Sequence, residues 1–519
     1  MAKPNQEIEL KLELSAEDCP AVATAGTPHG FTAGRPTTRL LRSIYFDTPD
    51  QALRRAGLSA RVRKDGRNWI QTIKLGTHVS AGLSTPKEAE CRVAGPALDL
   101  GLVDAPAAVE ALTAALGGQA LEPAFETVLR RKTREFAADD GTRIEMALDS
   151  GEIVAGDRRV PLHELELELK AGPIGALFQV ARNLVGTTPF RFSPCSKAER
   201  GYRIAAGDVA DPVRPATADP ILLSGSETAE QALHAVLRSC LDQIAHNRVS
   251  TLLGEDPEGP HQLRVGLRRL RSALRLFRPL IGRASTASLD AASRQLAAEV
   301  GELRDLDVLA DEIVAPLAAN APEGIGIAAL LDHLHDTRRT VRTDLATALA
   351  GADVNALVFD LGAFAETRGW LDPGDFGQSA LLATPVTEFS RQALDRQWKK
   401  VARYGRKLDE LTVAERHDMR KALKKLRYGI EFFASLYPDS DLKPFLKRMK
   451  GLQDVFGYLN DVATAHKLLD LPAVSGDDPA GLARAAGFVI GWHEAKAVHA
   501  WERARDCWDE AARAPKFWR

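Results

Sequence analysis

The sequence predicts an α+β protein of two domains, with strands in the N-terminal part and helices in the remainder. Charged and apolar residues alternate in several N-terminal segments, which is the period of a half-buried strand. From Glu227 onward, long Ala-, Leu- and Arg-rich segments with a helical period replace that alternation. At 519 residues the chain is longer than one that folds around a single hydrophobic core, so two or more domains are expected. We expect a first domain over 1–206, a proline-rich linker over 207–225 and a second domain over 226–512.

Composition narrows the class of protein. Apolar residues make up 45% of the chain and charged residues 27%, which is typical of a globular protein. No segment reaches the roughly 18 uninterrupted apolar residues of a membrane span, so we expect a cytoplasmic protein without a membrane partner. The five cysteines are scattered and lack CxxC spacing, which argues against a disulfide framework or a zinc site. The net charge of −2 conceals local segregation of both signs.

The opening strand, residues 7–14, gives the pattern that later strands repeat. Alternation turns Glu7, Glu9 and Lys11 to one face and four aliphatic residues to the other. Residues 163–170 repeat this pattern. Further one-face groups are Arg61 with Arg63, Thr72 with Lys74, Arg143 with Glu145 and Asp149, and Glu164 with Glu166 and Glu168. The Ala-rich stretch 105–116 predicts a helical insertion.

These charged faces admit two interpretations. An open sheet would leave them in water, whereas a sheet closed into a barrel would line its interior with facing Glu, Lys and Arg residues. Clustered carboxylates are hard oxygen ligands suited to Mg²⁺ or Mn²⁺. Arginine and lysine side chains match phosphate oxygens. An enclosed cavity with both would suit metal-assisted attack on a polyanionic phosphate chain.

The ordered motifs resemble the CYTH family, the triphosphate tunnel metalloenzymes, from about residue 5 to 205. The family's opening ExExK motif stands here as Glu7, Glu9 and Lys11. The other matches are Arg42 ahead of Tyr45-Phe46-Asp47-Thr48, Arg61-x-Arg63, Lys74, Asp149, Glu164-x-Glu166-x-Glu168 and Lys197. The resemblance implies a closed antiparallel barrel of eight strands, a tunnel that binds triphosphate together with Mg²⁺ or Mn²⁺.

The resemblance also implies roles for residues. The predicted triphosphate ligands are Lys11, Arg42, Arg61, Arg63, Lys74 and Lys197, with Arg143 added to them. The predicted metal ligands are Glu7, Glu9, Asp149, Glu164, Glu166 and Glu168. The predicted catalytic group comprises Glu7, Glu9, Lys11, Glu164 and Glu166. The motif does not fix the register of Lys87, Glu88 and Glu90.

The second half of the chain contains a duplication. The segment from His261 to Arg271 aligns with the segment from His417 to Arg427 at an offset of 156 residues. The same offset superimposes Gly301-Glu-Leu-Arg-Asp on Gly457-Tyr-Leu-Asn-Asp, and two motifs at one offset indicate an internal repeat. We expect two pseudo-symmetric helical bundles, over about 226–380 and 381–512.

Basic stripes follow the duplicated helices. Like charges at i, i+3 and i+4 repel, so a helix that carries them is expected to bind an anion. The region from about 225 to 510 resembles the CHAD domain, which implies binding of inorganic polyphosphate and association with polyphosphate granules. The predicted ligands are His261, Arg264, Arg268, Arg269, Arg271, Arg275, His417, Arg420, Lys421, Lys424, Lys425, Arg427, Lys447 and Lys450. Nucleic acid stays an alternative, although few aromatic residues interleave with the stripes.

Together the two halves predict a metal-dependent inorganic triphosphatase that converts tripolyphosphate to pyrophosphate and phosphate. One alternative is a non-catalytic scaffold protein that only binds polyphosphate. Another is an enzyme for an organic triphosphate, because proteins with the same tunnel fold include adenylate cyclases and thiamine triphosphatases.

Overall fold

The computed structural model describes residues 5–76, 79–80, 82–188, 190–207, 214–471 and 478–519. These residues form two compact units. The first contains the chain up to Arg214, with Leu252–Gly254 and Ala350–Gly369 added from the second half of the sequence. The second contains Pro215–Thr251, Glu255–Leu349 and Trp370–Arg519. Strands occur in the first unit and the second is helical, which confirms the predicted α+β architecture.

One antiparallel sheet forms the first unit. Its eight long strands are β1 (Glu9–Glu13), β2 (Thr37–Asp47), β3 (Leu58–Asp65), β4 (Asn68–Leu75), β5 (Lys87–Val93), β6 (Glu122–Ala137), β7 (Arg143–Ala155) and β8 (Arg158–Ala171). In space they run β1-β8-β7-β6-β2-β3-β4-β5. The sheet then returns to its start, because Asn5–Gln6, just ahead of β1, pairs with Lys87 and Glu88 of β5. This arrangement confirms the predicted eight-stranded barrel.

Short elements complete the first unit. Two-residue strands are Asn5–Gln6, Thr32–Ala33, Val79–Ser80, Leu83–Ser84 and Arg191–Phe192, and a 3-10 turn covers Leu100–Leu102. Its helices are Cys19–Ala23, Ala52–Arg55, Pro106–Leu116, Gly175–Val185, α1 (Lys197–Ala205) and Ala352–Glu366, which we call the inserted helix. The helix predicted over 105–116 is therefore present.

An apolar cluster fills one end of the barrel and fixes α1 there. The Phe125 ring stacks on Tyr45 with centroids 4.5 Å apart and meets Tyr202 of α1 edge-on at 5.1 Å. A Cβ atom on Gly201 would lie 2.0 Å from the Phe125 ring, so only glycine permits this close approach. The Tyr202 hydroxyl donates to the backbone oxygen of Phe46 at 2.9 Å, which satisfies its polar end.

The second unit is built from a repeated set of four helices. The first set is Ala229–Leu253, α2 (Glu258–Leu276), α3 (Ala287–Asp307) and Ile327–Ala350. The second set is Val386–Gly405, α4 (Val413–Phe433), α5 (Asp439–Ala465) and Pro479–Arg513. Corresponding helices begin within a few residues of the 156-residue offset, and α2 packs against α4. The predicted pseudo-symmetric bundles are therefore present.

Smaller helical segments connect these helices. They are Arg278–Ile281, Ala284–Thr286, the π-helix Val308–Val314, Ala315–Leu317, Phe376–Leu382, Leu408–Glu410, Ala434–Leu436 and His466–Leu469.

The predicted linker lies only partly within the described residues, since 208–213 fall outside them. Residues 214–225 form no helix or strand, yet Ile221 and Leu223 are buried. The Asn247 side chain exchanges two hydrogen bonds with the backbone of Ala216, at 3.0 and 2.8 Å.

Among the described residues, no single helix has both the length and the apolar composition needed to cross a membrane. The helix Ile327–Ala350 and the inserted helix meet that test only as a pair, and a bend of 52° separates them.

Candidate active site

A cavity of about 220 Å³ lies inside the barrel, and all eight strands contribute to its wall. Because successive side chains of a strand point to opposite faces, every second residue of each strand points into the barrel. The alternation of charged and apolar residues in the sequence predicted this arrangement. Seven basic side chains line it, namely Lys11, Arg61, Arg63, Lys74, Arg131, Lys170 and Lys197. Seven carboxylates line it as well, namely Glu7, Glu9, Glu88, Glu90, Glu145, Glu166 and Glu168. Basic and acidic side chains therefore line the wall in equal number.

Three carboxylates meet at the ammonium group of Lys74. Its Nζ lies 2.9 Å from Glu7, 3.3 Å from Glu9 and 2.9 Å from Glu88. We call these four residues the Lys74 cluster. Burial and a hydrogen bond with Glu88 raise the pKa of Glu7 to about 8, so this carboxyl group keeps a proton at neutral pH.

A second group of three carboxylates surrounds Lys197, the first residue of α1. Its Nζ lies 3.1 Å from Asp149 and 2.8 Å from Glu166, and it also contacts Glu164. Asp149 and Glu164 are completely buried, and only Glu166 of the three lines the cavity. We call these four residues the Lys197 cluster.

Two cations connect these clusters to one another. The Lys11 Nζ contacts Glu9 at 2.5 Å and also pairs with Glu166. The Arg131 guanidinium lies 2.6 Å from Asp149 and 2.7 Å from Glu166. Although burial opposes its charged form, the neighbouring Lys11, Lys197 and Arg131 hold the pKa of Glu166 well below its usual value. Glu166 is therefore an ionised carboxylate at the centre of the network.

The arginines of β3 are less completely paired. Arg61 lies 3.8 Å from Glu88 and Arg63 lies 3.5 Å from Glu90. Within the described part of the chain, the buried Nε atoms of both arginines have no hydrogen-bond partner. A buried donor without an acceptor is costly, so these two groups favour an anion in the cavity. The positive charge of Arg61, together with burial, lowers the pKa of Arg63. This repulsion between the two arginines likewise favours an anion in the cavity.

The carboxylates have the chemistry of a magnesium or manganese site, but cations already lie between them. In the described ranges, no group of three or more Asp, Glu, His or Cys side chains stands ready to hold a metal ion. At both places where three carboxylates converge, a lysine ammonium is at the centre. The donor set fits a divalent cation, provided that the lysine moves away.

The structure brings most of the predicted residues together and leaves two apart. Arg42 points away from the cavity, because Tyr45 on the same strand faces inward and Arg42 falls on the other parity. Its guanidinium pairs with Glu126 at 2.7 and 2.8 Å and is 54% exposed. Arg143 is exposed at the start of β7 and does not line the cavity. Glu168 does line it, and it pairs with Lys170 at 2.6 Å.

Residues that the sequence left open or missed also belong to the wall. The pairing of β4 with β5 places Glu88 opposite Lys74 and Glu90 opposite Thr72, so both glutamates face the cavity and Lys87 is exposed. Arg131 was missed because three consecutive basic residues in β6, Arg130 to Lys132, hide the alternation. The one available signal was that β6 continues the inward parity of Phe125, Thr127 and Leu129.

A basic surface lies where α2 and α4 meet in the second unit. Burial lowers the pKa of Lys424 on α4. The positive charges of Arg268 and Arg264 on α2 and of Arg420 on α4 lower it further, to about 6. The buried Nε atoms of Arg268 and Arg420 have no hydrogen-bond partner in the described residues. The structure thus gathers basic side chains from both repeats in one place.

Two acids lie within this basic surface at equivalent positions of the repeats. Asp305 is 3.0 Å from Arg264 and 2.7 Å from Lys467. Asp461 partly offsets the effects of burial and neighbouring charge that lower the pKa of Arg420.

Other predicted polyphosphate ligands lie elsewhere on the helices. Arg269 is buried, because it shares the core-facing side of α2 with Gly266 and Ala273. Its guanidinium donates to Gln243 at 2.8 Å and to Ser239 at 3.1 Å. Arg271 pairs with Asp290, Lys421 with Asp418 and Arg427 with Glu431, while Arg275, His417, Lys447 and Lys450 are exposed, and His261 and Lys425 are half-buried.

Comparison with known proteins identifies both regions. The CYTH domain model matches residues 5–202, and the CHAD domain model matches residues 235–470. The chain is a CYTH domain joined to a CHAD domain. The CHAD domain of the plant Ricinus communis, a solved structure, is 29% identical to this chain. It covers 58% of this chain and 99% of its own length, with a TM-score of 0.50.

Two curated relatives match parts of the CYTH–CHAD chain. An inorganic triphosphatase of Haemophilus influenzae is 29% identical over 210 residues, which are 39% of this chain and 55% of that protein. An uncharacterized protein of Mycobacterium tuberculosis is 25% identical over 326 residues, which are 55% of each chain. The CYTH–CHAD chain spans about half the length of these relatives.

The buried charge network makes a prediction about stability. Replacing Asp149 by Asn removes a buried negative charge that Arg131 and Lys197 share. We therefore expect the first compact unit, which contains the CYTH match and is called the CYTH unit below, to lose about 3 kcal/mol of unfolding free energy. The control is Glu126→Gln, which removes the half-buried partner of the exposed Arg42 and is expected to cost about 1 kcal/mol or less. Urea unfolding monitored on the full chain measures both, and equal losses would contradict the network.

Proposed function

We propose that the CYTH domain hydrolyses inorganic triphosphate to pyrophosphate and phosphate. The observation that carries this proposal is the cavity wall of seven basic and seven acidic side chains, in which the buried Nε atoms of Arg61 and Arg63 have no acceptor among the described residues. Triphosphate oxygens would accept from these donors as charge-assisted hydrogen bonds. The activity named for the Haemophilus influenzae relative supports the same substrate class.

The size and chemistry of the cavity favour an inorganic substrate over a nucleotide. Its volume of about 220 Å³ is below the roughly 300–1,000 Å³ of pockets that hold drug-sized organic ligands. Its uncharged lining consists of Tyr45, Ser59, Ser84, Pro86, Ala147, Ser196 and Ala198. Among the described residues of this lining Tyr45 is the one aromatic residue, so the wall offers little surface for stacking on a base or recognising it.

In the proposed reaction, the phosphate chain takes over cations that now pair with carboxylates. Arg61, Arg63 and Arg131 would hold phosphate oxygens, and Lys11 would bind the terminal group. A water oxygen attacks the terminal phosphorus, the bridging P–O bond breaks, and pyrophosphate leaves with the bonding electrons. Glu166, ionised at the centre of the network, would accept the proton of the attacking water.

A divalent cation, Mg²⁺ or Mn²⁺, would supply charge neutralisation of the phosphates and activation of water when bound. Glu7, Glu9 and Glu88 of the Lys74 cluster are the residues we propose to hold it, with Glu166 of the Lys197 cluster facing the same cavity. Asp149 and Glu164 lie beneath the wall and would orient Lys197 and Arg131. The Lys74 ammonium would then be available to bind a phosphate oxygen.

We further propose that the CHAD domain binds inorganic polyphosphate and brings the protein to polyphosphate granules. The support is the surface where Arg264, Arg268, Arg420 and Lys424 gather with Asp305 and Asp461 as the neighbouring acids among the described residues. A flexible anionic chain would satisfy the buried donors of Arg268 and Arg420. Such binding would weaken as the salt concentration rises, because it releases counterions.

Release of phosphate from tripolyphosphate with Mg²⁺ tests the active-site assignment. We expect Glu7→Gln, Glu166→Gln and Arg131→Gln each to lower kcat/KM about 100-fold or more, since they remove a proposed metal ligand, the proposed proton acceptor and a proposed phosphate ligand, respectively. The matched control is Arg42→Gln, which should stay within about 3-fold because Arg42 lies outside the cavity. An Arg42 variant as impaired as the Arg131 variant would contradict the assignment. A panel with ATP and thiamine triphosphate decides between substrates.

Metal binding without triphosphate tests the role of Lys74. Lys74→Met removes the cation at the centre of three carboxylates, so we expect Mn²⁺ to bind the variant about 10-fold or more tightly than the wild type. Lys170→Met, which removes the ion-pair partner of Glu168, is the control and should leave the affinity near that of the wild type. Titration calorimetry measures the affinities, and unchanged or weaker binding by the Lys74 variant would refute this role.

Proton uptake tests the CHAD surface. A pKa of about 6 leaves Lys424 mostly neutral at pH 7.5, and a bound polyanion raises that pKa again. Binding therefore takes up about one proton, and affinity falls as the pH rises above about 6. Calorimetry of polyphosphate binding in buffers of different ionisation enthalpy measures the uptake. We expect Lys424→Met to abolish it and the exposed Lys450→Met to retain it, and uptake that persists in the Lys424 variant would contradict the assignment.

A further inference from the structure

The CYTH unit contains a helix from far outside the CYTH match. The inserted helix, Ala352–Glu366, belongs to the first compact unit, although the CYTH model ends at residue 202. It packs against the helix Gly175–Val185, which in turn contacts β8. Arg182 and Asp360 form an ion pair between the two helices. The sequence thus returns to the barrel from between the two helical repeats.

Aromatic side chains anchor the inserted helix. The Phe359 ring lies 4.7 Å from Phe190 and 5.1 Å from Phe192, measured between ring centroids. All three rings are buried, with no more than 5% of their surface exposed. Without the inserted helix, Phe190 and Phe192 would lose their contact with the Phe359 ring.

The same rings support a strand of the active site. Phe192 pairs with Leu12 of β1, and its ring leaves no room for a Cβ atom on Gly82. Next in the chain, the Ser193 amide donates to the backbone oxygen of Lys11 at 3.0 Å. The Ser193 hydroxyl donates to Glu164 at 2.8 Å. A displacement of this segment would therefore move Lys11 and release Glu164.

We infer that Phe359 is a positioning residue for the triphosphate site, and that the partner completing the CYTH barrel is this chain's own inserted helix. Phe359 acts through the segment Phe190–Ser193, which fixes the backbone of Lys11 and the carboxylate of Glu164. The CYTH match alone, residues 5–202, is an incomplete active unit in this protein. The effect on activity rests on the proposed triphosphatase function, whereas the effect on the backbone of β1 does not.

Hydrogen exchange in the full-length chain tests the inference. In Phe359→Ala, we expect the amides of Ser193 and Lys11 to exchange at least about 10-fold faster, because local opening becomes easier. The matched control is Phe277→Ala, an equally buried ring stacked on Phe389 in the second unit, which should leave those two amides unchanged. Unchanged exchange at both amides in Phe359→Ala would overturn the inference.

Activity and a milder variant separate positioning from general loss of folding. Well below the unfolding temperature, we expect kcat for tripolyphosphate to fall about 10- to 100-fold in Phe359→Ala, since small displacements of reacting groups are costly. Phe359→Leu retains most of the apolar volume and should restore most of kcat. If Phe359→Ala does not fold, Phe359→Leu carries the exchange test at the same two amides, where faster exchange than in Phe277→Leu is expected and equal exchange overturns the inference.

The outcomes distinguish the two levels of proposal. If the wild type releases no phosphate but the amides exchange faster in Phe359→Ala, the triphosphatase proposal is refuted and the positioning of β1 by Phe359 stands. An active wild type whose Phe359→Ala variant keeps full kcat and unchanged exchange removes the inference and keeps the triphosphatase.

Discussion

The CYTH unit depends on mutual neutralisation of buried charges inside its barrel. Taking a carboxylate or an ammonium group out of water costs several kcal/mol per ion, and close opposite charges offset that cost only when nearly every group is paired. Lys11, Lys74 and Lys197 each contact two or more carboxylates at once. The interior can therefore remain charged, and the charges remain available for exchange with an anionic ligand and a cation.

This constraint also explains the division of the barrel interior. The apolar end, with Tyr45, Phe125 and Tyr202, supplies ordinary core packing and anchors α1. Lys197, the first residue of that helix, then contacts the carboxylates of Asp149 and Glu166. Hydrophobic burial at one end thus positions a cation at the other, and loss of the packing around Gly201 would disturb the charge network.

Much of this site could be predicted, because a strand period of two is a strict geometric rule. It correctly turned Glu7, Glu9 and Lys11 into the interior, and likewise Arg61, Arg63 and Lys74. Arg42 was assigned from its match to the CYTH motif ahead of Tyr45, whereas the period of two places it on the face opposite to Tyr45. The period alone left Glu88 and Glu90 open, because their face is fixed only by the register with β4. The role of the inserted helix had no local signal, because it depends on a contact between distant parts of the chain.

In the CHAD domain the repeat offset predicted the helices, whereas the burial of Arg269 depended on packing against the neighbouring helix. The duplication has a further consequence for recognition. Inorganic polyphosphate is a linear polymer whose two directions are chemically identical, unlike a nucleic acid strand or a peptide. If the CHAD domain binds inorganic polyphosphate as proposed, a basic surface assembled from two related halves, with Arg264 and Arg420 at matching positions, would accept the polymer equally well in either direction. Gene duplication and a ligand without polarity are therefore suited to each other.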